Sequence, residues 1–486
     1  MNQLILSTVS RTIMKKVLAA SLLLLASLSQ GHPAKSLTSK QLVITNVTVI
    51  DVTGAPASPD MTVVITGDRI TEIGPAKSVR APGDAQIVSG AGKYLIPGLW
   101  DMHVHWYLKD YLPLFLANGV TGIRQMWGMP MHHQWRREQQ TGTLLGPRMV
   151  VASPIVDGPN PIWQGSVSVT TEAQAREAVN KARQDGADFI KIYTRLTRDA
   201  FFAIADETRK LGIPFAGHIP QSVTVAEASD AGQKSIEHLT GILTACSSRE
   251  EELRKELASA TSANPSQFSS ARFRQISQST LETFNAEKAS ALFALLKRNH
   301  TWQCPTLTVL RSGAFLADPG FREDARLKYM PSSVRTQWDP TKDFRFRNRT
   351  EEDNRLSRMG FRKQMEIIRP MRQAGVEFIA GTDVLNPYCF PGFSLHDELA
   401  LLVEAGLTPL EALQAATINA ARYQSKEKEL GTVEKGKLAD LVLLDSNPLD
   451  KITNTQKINA VVMNGKLISK AEIERMLQSI EAAAQR

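Results

Sequence analysis

Eight short apolar runs, most closing on a polar residue and several followed by a helix-like stretch, constrain this chain more than any other feature. In order they are LIPGLWDMHVH (Leu95 to His105), VTGIRQMW, RMVVASPIV, DFIKIY, PFAGHIP, SIEHLTG, TWQCPTL and EFIAGTD. Amphipathic segments such as Glu172 to Gly186 and Arg198 to Gly212 lie between several of them. Alternation of this kind predicts β/α units on a parallel sheet, and eight strands fit a closed (β/α)8 TIM-like barrel of the α/β class. The polar residues His103, His105, Lys191, His218, His238 and Asp383 all fall at the ends of these runs. In such a barrel the C-terminal strand ends share one face, so the six are expected to meet.

Both termini read differently. From Leu42 to Ile73 short β-branched runs flank Gly67-Asp68, and DLVLLD and AVVMNGKLIS repeat that texture near the other end, with Asn464-Gly465 as a second hairpin signal. These predict a small β-sandwich built from both ends, residues 42–95 and 425–470, around a barrel of residues 96–424, with a terminal helix over 471–486. A chain of 486 residues is long enough for such a division. Two polar inserts interrupt the alternation, Cys246 to about Phe284 and Leu310 to about Arg369. The second is rich in aromatic residues and arginines, and is placed to cover the barrel mouth.

The first 31 residues carry Arg11, Lys15 and Lys16 ahead of the apolar run Val17 to Leu28, the layout of a signal peptide, with Met14 as an alternative start. The expected location is secreted or periplasmic. Removing those residues lowers the formal charge from +8 to +5, which does not call for nucleic acid. No later stretch is apolar enough to span a bilayer, so no membrane association is expected after removal. Cys246, Cys304 and Cys389 are too few and too scattered for a disulfide framework. Oligomeric state is not legible.

His103 and His105, two apart on a strand, share a face and can bind one ion such as Zn²⁺. Tyr193 shares a face with Lys191, where its phenol could donate to a bound carbonyl oxygen. Arg124 and Trp127 are candidates for the pocket wall. His132 and His133, in a Gly/Met/Pro loop, read as solvent-exposed loop histidines or as substrate contacts, and His396 as a structural residue opening an amphipathic helix. Neither a G-x-S-x-G elbow nor a phosphate-binding GxxxxGKS run is present.

Taken together, PGLWDMHVH, DFIKIY, GHIP, EHLTG and GTD, followed by GLTPLEALQAATINAARYQ and GTVEKGKLADLVLLD, resemble the amidohydrolase superfamily of metal-dependent hydrolases, in its imidazolonepropionase and prolidase-like branch. The resemblance runs from about Leu42 to Leu467. It implies that His103, His105 and Asp383 bind one metal and His218 and His238 a second, with Lys191 carbamylated and bridging the pair. Two Zn²⁺ ions are expected, another divalent metal being possible. Asp383 and Tyr193 would be catalytic, Asp383 relaying the proton. Deaminases of the superfamily carry a Glu near the fifth-strand histidine, where this chain has GHIPQSV, so deamination is disfavoured. The expected function is hydrolysis of an amide or peptide C–N bond in a small dipeptide-like or N-acyl amino acid substrate, by attack of a metal-bound hydroxide. The same site could act as a lactonase or phosphotriesterase, or the barrel could be a catalytically silent binding module.

Overall fold

The computed structural model describes residues 41–263 and 271–485. The expected signal peptide lies outside these residues, as does part of the first insert. Seven of the eight expected runs contain strands: Leu99–Val104, Val120–Gln125, Arg148–Val151, Ile190–Ile192, Phe215–Gly217, Ser235–Glu237 and Trp302–Cys304. Most are buried at every position, the condition that favours continuous apolar runs over alternation.

Parallel pairing joins the first strand to the second and third, and the fourth to the fifth, sixth and seventh. A bridge between Ala152 and Phe189 links the two groups. The eighth run departs from expectation, since it is not a strand but an extended segment held by parallel bridges from Phe378 to Gln303 and from Val384 to Val104. Those bridges return the series to its first strand, so the eight segments form a ring in a TIM-barrel-like α/β arrangement. The two helices expected from their amphipathic pattern form at Glu172–Gln184 and Arg198–Leu211. Thr171 and Thr197 accept from Gln174 and Ala200 at their N-termini, and Gly212 closes the second at φ +64°.

Strands from both ends of the chain join one eight-stranded sheet. Leu42–Val49 runs parallel to Tyr94–Pro97, which pairs antiparallel with Leu441–Leu444. Alternate residues serve two cores: Leu95 and Leu441 pack with Leu42 and Val63, whereas Ile96 and Val442 join the large core around the ring. This sheet is therefore buried on both faces at its centre. The helix Lys470–Ala484 docks Ile473 beside Leu116 and Ile480 beside Leu114. Cys246, Cys304 and Cys389 are buried free thiols.

The two hairpin signals are realised and touch each other. Thr66 pairs with Arg69 and Met463 with Lys466, leaving two-residue turns at Gly67-Asp68 and Asn464-Gly465. Asn464 (φ 51°) and Gly465 (φ 72°) both adopt the left-handed region that a type I′ turn needs. A Cβ on Gly465 would fall 1.8 Å from the Gly67 carbonyl oxygen. Gly465→Ala is expected to lower unfolding free energy by about 1–3 kcal/mol through strain and clash. Denaturant titration of the variant checks this, and a wild-type midpoint would contradict it.

Candidate metal centre

The first strand brings Asp101, His103 and His105 to one side by its two-residue period. Asp101 is fully buried and accepts from the Thr382 hydroxyl (2.6 Å), the Thr382 amide (3.0 Å) and the His103 amide (3.2 Å). That carboxyl ties the first strand to the eighth segment and so sets His103 beside Asp383. Gly381 allows the approach, because a Cβ there would lie 2.8 Å from the Cβ of His103 and 2.6 Å from Cys304 Sγ.

Three ligand atoms converge at this point. His103 Nε2 and His105 Nε2 are 3.3 Å apart, and they lie 3.4 and 3.2 Å from Asp383 Oδ1. Glu237 Oε2 is 2.8 Å from His103 Nδ1, and an ionised carboxylate only accepts, so Nδ1 carries the proton and Nε2 offers a lone pair. The His103 lone pair and the Asp383 carboxylate face each other at 3.4 Å, an arrangement that a cation, or a proton on His105 Nε2, stabilises. Tetrahedral zinc with bonds of about 2.0–2.1 Å separates its ligands by about 3.3–3.4 Å, so the spacing fits one divalent ion.

His218 and His238 approach the same centre from the fifth and sixth segments. Their rings are 4.9 Å apart, and His238 lies 4.5 Å from the His103 ring. Thr194 Oγ1 is 3.1 Å from His218 Nδ1 and Thr306 Oγ1 is 2.6 Å from His238 Nδ1, which also lies 3.8 Å from Asp383 Oδ2. Backbone strain supports this placement: His238, Thr306 and Asp383 sit at φ 60°, 49° and 59°, a region that non-glycine residues enter only when their surroundings hold them there. Burial pushes His103 and His218 well below the usual imidazole value and His238 to about 4, so these rings are neutral.

Lys191 is wholly buried, its Nζ has no hydrogen-bond partner, and burial pulls its ammonium down to about 8. A buried amine without an acceptor fits conversion to a carbamate. Tyr193 stacks on His218 with ring centroids 4.0 Å apart, and its hydroxyl accepts from Trp163 Nε1 at 2.8 Å. All six expected ligands thus lie in one neighbourhood. His105, His218, His238, Asp383 and Tyr193 line a cavity of about 750 Å³.

Its walls are aromatic. Tyr107, Trp127 and Trp163 come from the ring's loops, while Trp338, Phe344 and Arg345 come from the second insert, which does cover the site as expected. Trp163 meets Phe344 edge-on at 5.6 Å and lies under the Arg345 guanidinium at 5.4 Å.

Several expectations are corrected. Arg124 is not a wall residue but is buried below the site, where its guanidinium forks onto both oxygens of Glu237 at 2.9 Å and donates to Tyr423 Oη at 2.8 Å. His132 is not a loop residue: it lies in the helix Pro130–Gln140, buried, with Nδ1 accepting from the Met129 amide (3.0 Å) and Nε2 donating to the Trp106 carbonyl (2.8 Å). His133 is half-buried beside Arg136 and outside the cavity lining. His396 is structural as expected, bound to Thr455 Oγ1 and the Asn118 carbonyl.

Glu237 is the residue that the spacing of the histidines does not reveal. Together with His103 and Cys304 it forms a second, fully buried group of possible ligand atoms, but its oxygens are already taken by Arg124, Ser235 and His103. Arg124→Met would leave the Glu237 carboxylate buried without its counter-ion. Urea unfolding should register a loss of about 3–5 kcal/mol, and unchanged stability would rule out this pairing as a structural requirement.

Residues 94–468 match the amidohydrolase family. Curated relatives include the imidazolonepropionase of Geobacillus sp. (strain WCH70), 36% identical over 111 residues, which are 21% of this chain and 25% of that protein. A 5-methylthioadenosine/S-adenosylhomocysteine deaminase of Moorella thermoacetica is 31% identical over 137 residues, 24% of this chain and 32% of that protein. The chain thus spans about a quarter to a third of these relatives' length. Among solved structures, bottromycin amidohydrolase covers 91% of this chain and 90% of its own at 24% identity and TM-score 0.69. A Xaa-Pro dipeptidase with bound methionine covers 88% and 100% at 20% identity and TM-score 0.64. These likenesses extend to the fold.

Proposed function

Because the chain belongs to the amidohydrolase family, we propose that it is a metal-dependent hydrolase cleaving the C–N bond of an amide or peptide, with a dipeptide-like or N-acyl amino acid substrate. The observation that carries this reading is the convergence of four imidazoles, the Asp383 carboxylate and the partnerless Lys191 amine beside one cavity. The ring of parallel pairings supports a (β/α)8 barrel over 96–424, and the terminal strands a small sandwich domain over 42–95 and 425–470. The pattern of residues 1–31 supports export.

In this proposal His103, His105 and Asp383 would hold one Zn²⁺ and His218 and His238 a second, with Lys191, as its carbamate, a ligand common to both. Such a metal pair supplies a water that ionises near neutral pH and positive charge for the substrate carbonyl oxygen. Asp383 would serve as proton acceptor during attack and as proton donor to the leaving nitrogen. The Tyr193 hydroxyl, whose oxygen already accepts from Trp163, directs its own proton to the carbonyl oxygen. The aromatic walls strip water from the site and hold a bulky apolar group. Lys342, on the same cavity and in no ion pair among the described residues, faces the substrate carboxylate, while Arg345 is already held by Asp343 and Asn386.

Lys191→Ala should lose about one metal ion per chain and most turnover. Elemental analysis with an amide assay reads both, and full retention of both would exclude the lysine bridge. Asp383→Asn should fold as wild type by circular dichroism yet lose turnover by a factor of about 10²–10⁴. Wild-type rates in that variant would remove the aspartate from the mechanism. A panel of blocked dipeptides, N-acyl amino acids, lactones and phosphotriesters tests the bond class. Amides bearing an aromatic group should lead in kcat/KM, and a preference for lactones or phosphotriesters would overturn the assignment.

A further inference from the structure

A second cavity, of about 940 Å³, opens where the strands of the ring begin, at the end remote from His103 and Asp383. Met149, Phe189, Phe215 and Lys234 lie at or just before the starts of the third to sixth strands and line it. Residues at this end of such a ring ordinarily serve stability, and the proposed chemistry uses none of them. Five cations line the cavity: Arg136, Arg137, Arg209, Lys234 and Lys426.

Its acid lining is one residue, Asp188, and that carboxylate is already bound by Arg136 at 2.6 Å and by the Val151 amide at 2.7 Å. Among the described residues Arg137, Arg209, Lys234 and Lys426 have no ion-pair partner. Lys234 is the informative one. It is half-buried, and its ammonium lies 4.8 Å from the centroid of the Tyr423 ring. A half-buried cation beside a ring face gains further when an anion joins it.

Four helices end at the cavity, at Gln140, Leu211, Asp230 and Tyr423. Each contributes about half a negative charge, which accounts for a cation in the last turn of two of them, Arg137 and Arg209. Lys426 lies just past the fourth helix, its amide bonded to the Ala421 carbonyl at 2.9 Å, whereas no helix end accounts for Lys234. Positive charge therefore remains in excess over a concave, partly apolar floor.

We propose that this cavity binds a small organic anion, its acid groups meeting Lys234 and the rim cations and its apolar body lying on Phe189 and Phe215. The concave shape favours a small molecule over a nucleic acid or a membrane surface. The site adjoins the buried network behind the metal centre, because Tyr423, under Lys234, accepts from Arg124, and Arg124 holds Glu237 behind His103.

The probe is naphthalene-1,5-disulfonate, whose sulfonates are poor metal ligands, titrated calorimetrically into the full, metal-loaded chain at fixed ionic strength. One equivalent should bind, with Kd raised about tenfold or more in Lys234→Met, a loss of the size expected when a desolvated charge pair is broken. Lys426→Glu, an exposed rim change that leaves the core intact, should weaken binding in the same direction. Lys342→Ala, in the other cavity, should leave Kd unchanged. Absence of saturable heat would overturn the proposal, as would wild-type affinity in both basal variants or loss of binding in Lys342→Ala. Heparin binding without disulfonate binding would assign the cations to a polyanion and overturn it equally.

Discussion

The fork between Arg124 and Glu237 is the contact on which the centre depends. Both side chains are fully buried inside the ring, and each is tolerable there only because the other is present. Their pairing keeps Glu237 ionised, the ionised carboxylate holds the proton of His103 on Nδ1, and the Nε2 lone pair then faces His105 and Asp383. A buried charge pair thereby decides which atom the first histidine presents. The same logic recurs with hydroxyls at Thr194 and Thr306, which hold His218 and His238.

Around these contacts the fold supplies rigidity and the insert supplies shape. Asp101 pins the first strand to the eighth segment through Thr382, and left-handed backbone at His238, Thr306 and Asp383 turns side chains inward at the places where strands end. The second insert adds Trp338, Phe344 and Arg345 over this floor. Ligands therefore come from the ring, whereas much of the cavity wall comes from a segment that the ring does not need for its own closure.

Much of this was legible in the chain. The period of two predicts that His103 and His105 share a face, and Lys191 and Tyr193 likewise, because that alternation is a property of any strand. The polar ends of the apolar runs located His218, His238 and Asp383, and the turn pairs located both hairpins. Glu237 was not legible for a physical reason: alternation places Glu237 and His238 on opposite faces, and only the positive φ of His238 lets both reach the interior. Arg124 looked like a wall residue because its partner could not be identified without the sixth strand. His132 looked exposed because its Gly/Met/Pro surroundings resemble a loop, although Pro130 opens a helix there. The eighth run reads as a strand by composition but pairs too sparsely on each side to form one.

An anomalous-difference map from crystals of the metal-loaded protein, recorded at the zinc edge, addresses the central claim most directly. The account predicts two peaks about 3.5–4 Å apart, as in two-metal hydrolytic sites, one among His103, His105 and Asp383 and the other at His218 and His238, with extra density extending from Lys191 Nζ between them. A single peak with an unmodified Lys191, or no peak at these residues, would contradict it.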